Sequence, residues 1–138
     1  MRFTIPSHYA AGRDVQRRIL EEVSQKGFDS DDTFAIQLAL EEALVNAIKH
    51  GNRLDPQKQV KVQATITPRR AEIVVEDEGP GFDRKCVADP TDEANLSRTC
   101  GRGILLMEAY MTKVEWSKGG RRVRLVKLNS RARRKRAG

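Results

Sequence analysis

The sequence predicts an α+β fold: a two-layer α/β sandwich with a mostly antiparallel sheet and helices on one face. Three observations predict it. Two segments with helical spacing of apolar residues come early, one at Val15, Ile19, Leu20 and Val23 and one over residues 34–50. Two pairs of strand-like segments follow, each pair joined by a short turn. Between the pairs lies Gly79–Gly101, rich in Gly, Pro, Asp and Thr and without periodicity. A stretch that long in a compact domain is the signature of a functional lid.

In chain order, Arg2–Ser7 reads as a short edge strand closed by Pro6, and Ala10–Lys26 as a helix that Gly27 ends. Ser30-Asp31-Asp32 offers an N-cap to a second helix running to about His50, with Gly51-Asn52 as its stop. Val60, Val62, Ala64 and Ile66 alternate with Lys61, Gln63, Thr65 and Thr67, a half-buried strand. Pro68-Arg69-Arg70 turns the chain and Ala71–Asp77 returns. Gly103–Met111 reads as a helix, and Lys113–Ser117 with Arg121–Leu128 as a hairpin around Gly119-Gly120.

With 138 residues, 38% of them apolar and 33% charged, the chain is expected to form one soluble domain over 1–129, followed by a basic, disordered tail over 130–138. No window approaches the ~18 apolar residues of a membrane span. The start, Met1–Pro6, lacks the apolar core of a signal peptide, so a cytoplasmic protein with Cys86 and Cys100 reduced is expected. The two cysteines and two histidines form no metal-type cluster in sequence. Arg131, Arg133, Arg134, Lys135 and Arg136 supply five charges of the net +7, leaving about +2 elsewhere. A solvated tail accounts for that run, and no aromatics interleave with it as in single-strand binders.

Three motifs carry chemistry. On a helical wheel of residues 34–50, apolar side chains take most of the circumference, yet Glu42, Asn46, Lys49 and His50 share a sector about 100° wide with Ala35 and Ala39. Glu42 and Asn46 are one turn apart and project at the same spot. A polar stripe is the ordinary surface pattern of a helix. An acid and an amide carbonyl over small residues also suit a pocket for a hard cation and a reacting hydroxyl. Asp77 ends an apolar strand ahead of Gly79-Pro80-Gly81, which is common turn chemistry and equally a carboxylate where glycines let a ligand approach the backbone. Gly101-Arg102-Gly103 opens a helix, and free amides at a helix N-terminus bind phosphate.

Glu42-Ala43-Leu44-Val45-Asn46, then Asp77-Glu78-Gly79-Pro80-Gly81-Phe82 about thirty residues on, then Gly101-Arg102-Gly103 about twenty further, together resemble the ATP site of the GHKL superfamily. The likeness is tightest to its small stand-alone branch, the anti-sigma-factor serine/threonine kinases, and runs from about Ile5 to Leu128. It implies the Bergerat fold, with ATP and Mg²⁺ as cofactors. It implies Asn46 as Mg²⁺ ligand, Glu42 as general base, and Asp77, Gly79 and Gly81 at adenine. It places Gly101, Arg102 and Gly103 at the phosphates, although Arg102 also suits a plain surface role. Phe82 would pack under the base or anchor the lid. Asp89-Pro90-Thr91 and Asn95-Leu96 look like the lid of these kinases.

The implied activity is ATP-dependent phosphorylation of an antagonist protein on Ser or Thr, with sequestration of a sigma factor. The resemblance implies no membrane and no specific nucleic acid as partner. Relatives act as dimers, so a homodimer belongs to the same expectation. One departure stands out: Gly119-Gly120-Arg121 occupies the place of the family's Gly-Thr, and a long cation cannot reproduce a short hydroxyl near adenine. That keeps a non-catalytic nucleotide-sensing module open. A histidine-kinase-like catalytic domain is the other alternative, and it would need no base of its own.

Overall fold

The alternation along residues 59–76 becomes the hairpin at the centre of a five-stranded sheet. A computed structural model describes residues 1–80 and 99–131 (backbone only for 99–104). The strands are β1 (Arg2–Pro6), β2 (Gln59–Ile66), β3 (Arg70–Glu76), β4 (Lys113–Ser117) and β5 (Arg122–Leu128). The helices are α1 (Tyr9–Gln25), α2 (Ser30–Val45) and α3 (Thr99–Tyr110). Sheet order is β1-β2-β3-β5-β4 and every neighbouring pair is antiparallel, so β1 is an edge strand as its sequence predicts.

Period-two patterning decides which face the helices cover. Val62 opposes Val75, which opposes Val123; Ala64 opposes Ile73, which opposes Leu125, and all six are buried. The α1 stripe of Val15, Ile19 and Val23 and the buried α2 residues Ile36, Ala39, Leu40, Ala43 and Leu44 join the same core as that face. The opposite face carries charged residues among its neutral ones. Arg124 donates to Glu72 and Glu115, both at 2.9 Å, across three strands. The α+β sandwich predicted from the sequence is the one observed.

Several boundaries differ from the sequence expectation, each for a local reason. The N-cap of α2 is Asp29, whose Oδ1 accepts the Asp32 N–H at 2.8 Å, while Ser30 is already the first helical residue. The α-helical part of α2 ends at Val45, and Asn46–Gly51 form a wider π-helical turn in place of the expected α-helix to His50. Within it the Asn52 N–H reaches the Ala47 carbonyl, five residues back, at 2.8 Å. α3 starts at Thr99, four residues before the expected Gly103. It packs on α2, with Met107 fully buried and Tyr110 edge-on to Phe34 at 6.2 Å between ring centroids. The β4–β5 turn, Lys118–Gly120, has positive φ at Gly119 (68°) and Gly120 (96°), which explains the glycine pair there.

The chain past Leu128 remains tied to the body. Asn129 Nδ2 donates to the Pro68 carbonyl at 2.9 Å, and the Ser130 N–H and hydroxyl both donate to Asp32 Oδ2, at 2.9 and 2.8 Å. The basic run 132–138 and the expected lid, Gly81 and Phe82 included, lie outside the described residues. No helix among the described residues is long and apolar enough to cross a membrane.

Candidate functional site

Glu42 and Asn46 stand at the junction where α2 passes into the π turn, both half-buried. The Asn46 N–H still reaches the Glu42 carbonyl, so the two remain one α-turn apart. Wider turns of this kind recur where helices carry function. The sector seen on the wheel divides in the folded protein. Ala35 and Ala39 are buried, Lys49 and His50 are exposed, and only Glu42 and Asn46 remain between. Burial pushes the Glu42 carboxyl above the ordinary carboxylate range, and the neighbouring Glu41 charge adds to it. A raised pKa in a half-exposed carboxylate beside an amide suits a group that takes up a proton.

Asp77 follows β3 directly and is 7% exposed. Its N–H donates to the Arg121 carbonyl at 2.9 Å, and its Oδ1 accepts the Gly79 N–H at 2.8 Å. Among the described residues, no hydrogen-bond donor to Oδ2 is found. Burial raises the Asp77 carboxyl, while the Gly79 N–H and the Arg121 charge pull it back down. The π turn reaches this carboxylate directly. A β-carbon on Gly51 would overlap the Asp77 carboxylate, and one on Gly79 would overlap the Gly51 carbonyl. Gly79, read from the sequence as a turn residue, is thus also a close-packing position.

A cavity of about 340 Å³ opens at this end of the sheet, lined by Gln59, Lys61, Glu76, Asp77, Glu78, Lys118 and Arg121. Arg121 is therefore beside Asp77, with its Nε donating to the Lys118 carbonyl at 3.1 Å. Gly101 is the third residue of α3, inside the first turn whose N–H groups have no intrahelical partner. Gly103, the fifth, is already in the helical ladder, so the free amides lie at or before Gly101. Gly81 lies outside the described residues.

No cluster of three or more His, Cys, Asp or Glu suited to a metal occurs among the described residues. A divalent ion here would be held as Mg²⁺ commonly is, by one amide or carboxylate plus water and phosphate oxygens, and Asn46 is the residue placed to do so. Sequence reasoning missed two residues. Gly51 and Asn52 read as a helix stop, yet Gly51 touches Asp77, and Asn52 is fully buried with its side-chain oxygen on the Glu78 N–H at 2.8 Å. A Gly-Asn pair at a helix end carries no sequence signal that separates a cap from a contact.

Comparison with known proteins identifies the family. Residues 5–127 match the family described as histidine kinase-like ATPase domain. The serine-protein kinase RsbW of Bacillus licheniformis is 31% identical over 97 residues, covering 66% of this chain and 61% of that protein. RsbW of Bacillus subtilis (strain 168) is 29% identical over 97 residues, with 66% and 61% covered. The anti-sigma F factor of Clostridium perfringens (strain SM101 / Type A) is 37% identical over 83 residues, covering 58% of this chain and 59% of that protein. The chain spans about three-fifths of the length of these curated relatives. With the family match running through both strand pairs and all three helices, the chain belongs to the histidine kinase-like ATPase domain family.

Proposed function

We propose that this protein is an ATP-dependent serine/threonine kinase of the anti-sigma-factor type, which phosphorylates an antagonist protein and binds a sigma factor. The observation that carries the reading is that one helix end serves two motifs. Glu42 and Asn46 lie where α2 enters the π turn, and Gly51 at the end of that turn packs on Asp77. That contact supports reading the base and metal motif and the adenine motif as parts of one site. Relatives named serine-protein kinase and anti-sigma F factor support the kinase activity and the sigma-factor partner.

Bound ATP·Mg²⁺ would supply the transferable phosphoryl group and the charge neutralisation it needs. Asp77 would accept a hydrogen bond from the adenine amine, and Asn46 would ligate the metal. Free amides at the start of α3, Gly101 included, would face phosphate, with Arg102 beside them. Glu42 would accept the proton of the attacking Ser or Thr hydroxyl, a role for which its raised pKa suits it. Incubation with labelled ATP and a candidate antagonist domain should give phosphoserine or phosphothreonine on that domain. No transfer, with ATP binding intact, would instead establish a nucleotide-sensing module. The position of Arg121 beside Asp77 is the observation that favours that second reading.

A further inference from the structure

Asn52 is the most deeply buried polar side chain among the described residues, at 0% exposure. Its amide joins three separate parts of the chain. Nδ2 donates to the Ser7 hydroxyl just past β1 and to the carbonyl of Gln59, the first residue of β2, both at 3.0 Å. Oδ1 accepts the Glu78 N–H at 2.8 Å. The amide orientation is dictated by its neighbours, since a backbone N–H only donates and a carbonyl only accepts. The Glu78 carboxylate in turn accepts the Gln59 N–H at 2.6 Å, which closes a triangle of Asn52, Gln59 and Glu78. The Ser7 hydroxyl in turn donates to the Lys58 carbonyl at 2.7 Å.

Glu78 lies beyond the last β3 register pair, where the sheet ladder no longer holds the chain. Its N–H would be without a ladder partner but for Asn52. One residue earlier stands Asp77, and one residue later the Gly79 N–H that aims the Asp77 carboxylate. We propose that Asn52 is a positioning residue for Asp77: it fixes the 77–79 turn to the end of the helix that carries Glu42 and Asn46. The role in nucleotide binding rests on the reading of Asp77 given above, whereas the positioning itself does not.

The test compares the parent with Asn52→Ala and with Ser7→Ala, which removes the Asn52–Ser7 and Ser7–Lys58 bonds and leaves the Asn52–Glu78 bond in place. In nucleotide-free protein, Asn52→Ala should speed hydrogen exchange at the Glu78 and Gly79 amides by about tenfold relative to Ile73. Ser7→Ala should lower the melting temperature yet leave those two amides within about twofold of the parent. ATP·Mg²⁺ affinity should fall about tenfold in Asn52→Ala and stay near the parent value in Ser7→Ala. If Asn52→Ala does not fold, Asn52→Asp retains the acceptor for Glu78 and loses both donors, and it should keep Glu78 protected. Unchanged protection at Glu78 and Gly79 in Asn52→Ala, exposure of Glu78 in Asn52→Asp, or equal affinity losses in the Asn52→Ala and Ser7→Ala variants would overturn the proposal. A parent protein that binds no ATP·Mg²⁺ would sink the nucleotide reading, and the exchange result would still decide on Asn52.

Discussion

Gly51 packs directly against the carboxylate of Asp77, with no room for a β-carbon between them. The two residues are far apart in sequence, one at the end of the π turn and the other just past β3. Their contact makes the helix end and the strand end one surface. On the proposed reading, a substitution at Gly51 would therefore report on the adenine side of the site from the helix that carries Glu42 and Asn46.

Gly51→Ala should weaken ATP binding at least about tenfold and destabilise the fold by about 1–3 kcal/mol, the usual cost of overpacking. Helical propensity alone would predict the opposite sign, since alanine is favoured over glycine by up to about 1 kcal/mol. Calorimetric ATP affinity and a denaturant melt give the two numbers. A variant more stable than the parent would show that the contact yields without cost.

Asp77→Asn keeps the size of the side chain and removes its charge, so it should weaken ATP binding by roughly 1.5–3 kcal/mol, the worth of a charge-assisted hydrogen bond. The fold should survive, because burial already disfavours the charged form of Asp77. Equal affinity in the two proteins would remove Asp77 from the site.

Glu42→Gln should retain ATP·Mg²⁺ affinity within about twofold and lose about 10²–10⁴ in phosphoryl transfer, the range for removal of a general base. Asn46→Ala should lose Mg²⁺-dependent binding and transfer together. Single-turnover rates beside calorimetry separate the two variants. Full transfer by Glu42→Gln would end the general-base assignment.

The pH dependence has a definite sign. In the unfolded chain Glu42 titrates near 4.5, and in the folded protein above it. Folding thus favours the neutral carboxyl, a contribution complete below pH 4.5 and lost as pH rises through the folded value. The melting temperature of Glu42→Gln should accordingly gain on that of the parent between pH 4.5 and neutrality. Transfer by the parent should also decline on the acid side at a pH above 4.5, as its base becomes protonated. A difference in melting temperature that is flat across this range would contradict the raised value.

At the other end of α2, Asp29 and Asp32 share Ser130. Asp29 caps the helix and accepts the Ser130 hydroxyl at 3.1 Å; Asp32 accepts both Ser130 donors and pairs with Lys127 at 3.8 Å. Asp29→Ala should cost about 1 kcal/mol as a lost cap. Asp32→Ala should cost about 1–3 kcal/mol, because it leaves the half-buried Ser130 N–H without its acceptor. Since both act on one hydroxyl, the double variant should lose less than the sum of the singles in denaturant melts. Strict additivity would mean that Ser130 contributes nothing.

Strand alternation, helical spacing and motif order were legible in the sequence because each depends on residues near one another in the chain. They determined the α+β sandwich, the edge position of β1, the shared turn of Glu42 and Asn46, and the family. Tertiary structure alone decided where α2 changes from α to π, since Gly51 and Asn52 there meet Gln59 at the start of β2 and Asp77 and Glu78 just past β3. It also decided that Ala35 and Ala39 are packed and not part of an open sector, since a wheel shows direction and not what arrives from α3 and the core. Arg121 read as a departure from a family pattern, and only the pairing of β3 with β5 placed it beside Asp77. Asn52 stayed hidden for the same reason. A buried amide is recognisable only by its partners, and here those partners lie 45, 7 and 26 residues away in the chain.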